Sequence, residues 1–301
     1  MASKSANGKQ VATTHGHDEE AGQQVALYGS AANLPAEVAG ELEGLTDLGY
    51  SQKAEDSLIP VLNILHDNSA EVKTRHERYI QGAKPGDFII RALNMVIDPM
   101  ETPVIVQTAA FIHVWVEWQG EAGEGTPVNR YPFDDRPAEA EEVTDPQNDE
   151  KTYWAMPNGN RLVDTREHYA FVLIGNAWMP VVIPMHGTNH KPSRGWTNLM
   201  KTFQLGSGQQ APAWFRFYRF YSKYQSRGTQ TWFIYDIKDQ GWVADANLRA
   251  AGRKLNESVI HNELTPDLDH EKTGDQPETG DAKVAAAAAK GKTKSGKEIP
   301  I

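Results

Sequence analysis

Cysteine is absent from all 301 residues. Disulfides, thiolate zinc sites and cysteine nucleophiles are thereby excluded, and the chain fits a reducing compartment. Long apolar runs are missing as well: none approaches the roughly 20 residues that cross a bilayer as a helix. Residues 1–21 are polar and hold no apolar leader core. The expectation is a soluble, cytoplasmic protein. Enzyme signatures are also lacking. No phosphate-cradling GxxxxGKS or GxxxxGKT loop, GxSxG elbow, dinucleotide fingerprint or HExxH occurs. The chain is therefore expected to be no enzyme and to need no cofactor or metal. His15-Gly16-His17-Asp18 sits in a polar flank. Gly187 and Pro192 argue against a helix that would align His186 with His190 and point to loop or groove residues instead.

The most telling absence is local. The chain carries 40 Asp and Glu and a formal net charge of -10. Yet His186–Tyr235 contains no acid, while holding seven Lys or Arg and twelve Phe, Trp or Tyr. Acids concentrate elsewhere, in residues 1–58, 121–150 and 262–281, so the negative total does not oppose a positive surface here. Cations meet phosphates, and flat rings stack on unpaired bases, so this mixture suits a single-stranded nucleic acid.

What is present suggests a folded centre with polar ends. Residues 1–56 read as a disordered acidic flank, 57–260 as the domain and 261–301 as a disordered tail. Strands are expected at 88–97, 103–118, 151–156, 169–174 and 179–185, with β-branched alternation clearest in Val104, Val106, Ile112, Val114 and Val116. Residues 119–150, rich in Gly, Pro and acid, read as a mobile insertion. Trp196, Leu199, Met200 and Phe203 share one face of a short helix opened by Pro192-Ser193. Residues 213–224 and 230–237 read as a hairpin around Ser226-Arg227-Gly228-Thr229, and 245–260 as an amphipathic helix. The fold class expected is mainly β with minor α, an antiparallel domain that is either a barrel or a sandwich.

Within the hairpin, alternation puts Trp214, Arg216, Tyr218, Phe220 and Tyr224 on one face and Phe215, Phe217, Arg219, Tyr221 and Lys223 on the other. Both faces carry rings and cations, so alternation alone leaves open which is exposed and which is core. The candidate DNA-binding set is Trp214, Arg216, Tyr218, Arg219, Tyr221, Lys223, Tyr224 and Trp232, extended by the cations Lys191, Arg194, Lys201 and Arg227. At the far end, Glu298-Ile299-Pro300-Ile301 offers a short apolar tip on a polar tether. Ile299, Pro300 and Ile301 are thus candidates for capture by a partner protein.

Two resemblances follow from these segments. The tip Ile299-Pro300-Ile301 resembles that of bacterial single-stranded DNA-binding proteins, which recruits replication and repair partners. More of the chain, residues 57–240, resembles phage-encoded single-stranded DNA-binding proteins. The segments are Ser57–Asn63 (SLIPVLN), Gly82–Asp87 (GAKPGD), Val114–Trp118 (VWVEW), His168–Met185 (HYAFVLIGNAWMPVVIPM) and Trp196–Phe203 (WTNLMKTF). That resemblance implies an OB-fold core, the cytoplasm of an infected host, and coating of single strands during replication, recombination and repair. The alternatives are a structural phage protein that uses the aromatic hairpin as a subunit interface, and a recombination or annealing factor or nuclease.

Overall fold

The computed structural model describes residues 58–119, 126–145, 151–228 and 230–268. The fold is mainly β. Its spine is the pair β5 (Val104–Gln119) and β9 (Arg161–Ile174), antiparallel along most of their length. The first half of β5 reads Val-Ile-Val-Gln-Thr-Ala-Ala and is buried on both sides. β-Branched residues suit such a doubly covered strand because both pleat faces meet packing partners. On one flank of β5 lie β11 (Arg216–Arg227), against its start, and β6 (Thr126–Pro132), against its end. β12 (Gln230–Trp242) pairs with β11 as the edge. On the far flank, β9 pairs with β10 (Ala177–His186) and with β8 (Lys151–Ala155), which carries β7 (Glu141–Asp145).

A small sheet of β2 (Leu62–Ile64), β3 (Phe88–Ile90) and β4 (Met95–Ile97) is tied to β10 by a parallel bridge from Val61 to Val182. The concave face so formed holds the main core: Val104, Val106, Val172, Ile183, Tyr218, Phe220 and Tyr235, with Leu62 and Phe88 from the small sheet. Helix α1 (His190–Thr202) covers this core through Trp196, which is 1% exposed. Its indole stacks on His168 at 4.4 Å and meets Phe220 edge-on at 5.0 Å. Ser193 Oγ and His168 Nε2, 2.8 Å apart, fix the helix to β9. Burying Trp196 contributes on the order of 2–3 kcal/mol at the usual rate per apolar area.

The convex face is covered by α2 (Ala246–Ile260). Asp245 caps it, accepting from Asn247 N at 2.8 Å and Leu248 N at 3.4 Å. Leu248, Gly252, Leu255 and Val259 form its buried side, as helical spacing requires. Gly252 is required there: a Cβ would come within 2.6 Å of Trp214 Cβ and 2.9 Å of Gln107 Nε2. That buried Gln107 donates to Trp214 O at 2.8 Å and Leu248 O at 3.0 Å, pinning α2 to β5.

Several expectations are corrected. The sheet does not close into a barrel. No ladder joins β12 to β2; Tyr235 bridges the gap instead, donating from Oη to Leu62 O at 3.1 Å, with its ring 5.7 Å from that of Phe88. Closure fails because side chains occupy the free edge of β12. Phe233 N donates to His66 Nδ1 at 3.4 Å and Tyr235 N to Asn189 Oδ1 at 3.1 Å. The segment expected as a mobile insertion supplies β6 and β7; the rest of it, 120–125 and 146–150, lies outside the described residues. Residues 88–97 form two strands around a 3-10 turn, with Asn94 at φ 50°. The domain runs past residue 260: β13 (Thr265–Pro266) pairs in parallel with β1 (Leu58–Ile59), and Asp267 N donates to Ile59 O at 2.8 Å. Residues 1–57 and 269–301, including the flanks expected to be disordered and the tip Ile299, Pro300 and Ile301, lie outside the described residues.

Candidate functional site

The β11–β12 ribbon sorts the sequence candidates by its register. Residues directly opposite one another share a face. Phe220 faces Ile237, Ser222 faces Tyr235 and Tyr224 faces Phe233, and this side looks into the core. Arg219 faces Lys238, Tyr221 faces Asp236, Lys223 faces Ile234, Gln225 faces Trp232 and Arg227 faces Gln230 on the opposite, convex side. A register shift at Phe217/Tyr218 marks where that side leaves the cover of α2: Phe217 packs with Val243 and Leu248, while Lys223, Arg227 and Lys238 are exposed. The guanidinium of Arg219 lies 4.8 Å from the Tyr221 ring centre, so cation and ring form one surface. Lys238 Nζ sits 3.3 Å from Asp236 Oδ2, the one acid in this stripe.

Arg219, Tyr221, Lys223, Arg227 and Trp232 therefore share one face, and the other seven candidates fall elsewhere. Tyr218 is fully buried and cannot stack on a base. Arg216 is 7% exposed, ion-paired with Asp239 and layered between the rings of Phe203 at 3.8 Å and Trp242 at 4.4 Å. Trp214 belongs to a 3-10 turn rather than the strand and packs beneath Gly252. Tyr224 is 56% exposed but lies on the concave side, edge-on to Phe233. Lys191, Arg194 and Lys201 are exposed on α1, across the ribbon from Tyr221. They form a second cationic strip rather than an extension of the first. His190 begins α1, where no helix was expected, with Pro192 tolerated in the first turn.

Sequence reasoning missed a cavity of about 510 Å³ against the free edge of β12. Its walls come from the loop after β2 (His66, Asn68), from β5 and β10 (Trp118, Val182, His186), and from β12 (Thr231, Trp232). Burial holds His186 down to about 4, helped by His190 and His66, and burial likewise lowers His66 despite the neighbouring Asp67. Both imidazoles are neutral at neutral pH. Glu167, on the wall, is engaged by Arg130 Nε at 2.8 Å and Tyr169 Oη at 2.9 Å. The sequence put His186 in a loop or groove; it ends strand β10 and borders the cavity. Trp118 and His66 gave no signal because each comes from a segment remote in sequence.

A second buried knot has a structural role. Glu117, 2% exposed, accepts from Asn129, Tyr131, Asn158 and Asn160. Burial alone would raise its pKa, but the four donors prevail and hold it at about 2. All the described partners belong to the arm around β6 and β8, so Glu117 ties that arm to the spine. Among the described residues no three His, Asp or Glu side chains converge as a metal site, and no helix is long and apolar enough to cross a membrane.

No curated protein and no solved structure matches the chain. A family model, that of the Pam3 phage gp34-like protein, matches residues 32–265. With most of its length so matched, the chain belongs to the Pam3 phage gp34-like family, a family of phage proteins.

Proposed function

We propose that this chain binds single-stranded DNA without reading its sequence, along the convex face of the β11–β12 ribbon. The supporting observation is the register that groups Arg219, Tyr221, Lys223, Arg227 and Trp232 on one side, beyond the cover of α2. Lys and Arg release counterions from the phosphates, and Tyr221 and Trp232 stack on bases, each ring worth about 1–3 kcal/mol. The role is non-enzymatic coating and protection of strands during phage replication and recombination in the host cytoplasm, with replication partners recruited by Ile299, Pro300 and Ile301. Salt-titrated binding of single- and double-stranded oligonucleotides tests it. The expected result is tighter single-strand binding, with log affinity falling by about 0.7 per phosphate contact for each unit of log salt. No binding at low salt removes the proposal and favours a subunit-interface role for the ribbon.

A further inference from the structure

We propose that the cavity beside β12 is a seat for a single nucleobase, held at its polar edge by His186 and flanked by the ring of Trp118. The inference deepens the reading of the ribbon as a single-strand platform. Its volume, about 510 Å³, lies in the range of small-molecule sites and exceeds what one base needs. One polar ring on its wall is unused. His186 makes no hydrogen bond among the described residues; its ring neighbour is Trp118, at 6.1 Å and 57°. Polar groups without partners are rare, and in a cavity wall they mark where a ligand atom belongs. As a neutral imidazole it offers one donor and one acceptor. The Trp118 ring lines the same wall, with its own N–H buried out of reach of a ligand. A base edge presents the complementary mixture of carbonyl and ring nitrogen.

The wall also argues against an anionic ligand. Glu167 is satisfied by Arg130 and Tyr169, and Arg91 by Glu71 at 2.8 Å. His66 and His186 stay neutral under burial. Val61, Val116 and Val182 supply apolar surface for the flat of a ring. A phosphate would find no free cation here, whereas an uncharged planar heterocycle meets both kinds of surface. The ribbon and the cavity are joined by Trp232, which lies in the convex-face register and also borders the cavity. A strand on the ribbon therefore has a base seat at its edge.

The test uses the full chain, the four deoxynucleosides one at a time, an oligothymidylate and the same oligomer carrying abasic sites. Indole N–H resonances are followed by NMR, with Trp118 assigned from its disappearance in Trp118→Phe. At least one nucleoside should shift the Trp118 resonance. His186→Leu should weaken its binding about three- to tenfold, the worth of one hydrogen bond. His186→Gln, which keeps a donor and an acceptor, should restore most of it. Circular dichroism verifies folding of each variant. Oligomer binding without any nucleoside shift at Trp118, and equal affinity of intact and abasic oligomers, overturns the base seat and leaves the ribbon standing. A nucleoside shift at Trp118 without oligomer binding supports the seat and removes the ribbon.

Discussion

The two faces of the β11–β12 ribbon are built from nearly the same alphabet and do opposite work. The concave face spends Tyr218, Phe220 and Tyr235 on the core, each at most 3% exposed. The convex face carries Arg219, Tyr221 and Lys223 past the cover that Leu248 of α2 gives Phe217. Composition does not separate them. The difference is made by what packs above each face: α1 and the small sheet on one side, and α2, which stops at Phe217, on the other. A ring-rich strand is thus both a core strand and a candidate binding strand, and the boundary falls between neighbours one residue apart.

The strongest way to break this comparison is to truncate one ring on each face. Phe220→Ala should cost about 3–5 kcal/mol of stability, as expected for a large buried ring, and should be visible in a denaturant midpoint. Tyr221→Ala on the other face should leave that midpoint within about 0.5 kcal/mol of the parent. Equal losses would mean that both faces are buried, in this chain or in an assembly of it.

Acid should attack the concave side selectively. His168 is fully buried against Trp196, and burial, with Arg166 nearby, holds its pKa at about 3 against an ordinary 6.5. The unfolded chain therefore binds a proton that the folded chain refuses throughout the window between about 6.5 and 3. Stability contributed by the neutral ring is complete above 6.5 and declines as pH falls. Lowering the pH to 5 should cost about 2 kcal/mol from this group alone. Melting curves of His168→Gln against the parent measure it: the slope between pH 6.5 and 5 should flatten in the variant. Glu117, held at about 2, adds a further loss only below about 4.5.

The covered part of the convex face has its own sharp test. Gly252→Ala gains helix propensity, yet its methyl group would meet Trp214 and Gln107. We expect a net loss of about 1–3 kcal/mol from overpacking. Beyond that cover the same face should respond in binding rather than stability. Tyr221→Ala should weaken a single-stranded oligonucleotide by about 1–3 kcal/mol with its melting temperature unchanged. An unaltered affinity would remove Tyr221 from the platform.

Much of the fold was legible because it follows local pattern. The 3.6-residue spacing of Trp196, Leu199, Met200 and Phe203 located α1, and Asp245 with Leu248, Leu255 and Val259 located α2. β-Branched alternation located β5 almost to its ends. The failures share a cause in tertiary packing. Gly, Pro and acid between 119 and 150 looked like a loop, but β5 extends far enough to offer a partner for β6, and a Glu117 knot fastens it. Strand closure failed because His66 and Asn189 reach the edge of β12 from elsewhere in the chain. The sequence offered the candidate cations and rings as one undivided set. Their division between faces depended on which residues α1 and α2 cover, which no single-strand pattern records.

The smallest expected effect is the most specific. Tyr218 was a candidate for stacking on bases because its ring stands among cations in an acid-free segment. In the fold the ring is fully buried, and its Oη has no hydrogen-bond partner. Burial raises the pKa of that phenol, with Asp239 adding to the shift, so it is neutral across the working range. A buried hydroxyl without a partner loses its water and gains nothing in return. Tyr218→Phe keeps the ring and its edge-on contact with Trp196 at 5.5 Å while removing the unpaired group. The variant should be as stable as the parent or more stable by up to about 1 kcal/mol. Its affinity for oligonucleotides should not change. A destabilisation greater than about 1 kcal/mol would mean that the hydroxyl has a bonding partner in solution. A loss of binding at unchanged stability would mean that the concave face, rather than the convex one, meets the strand.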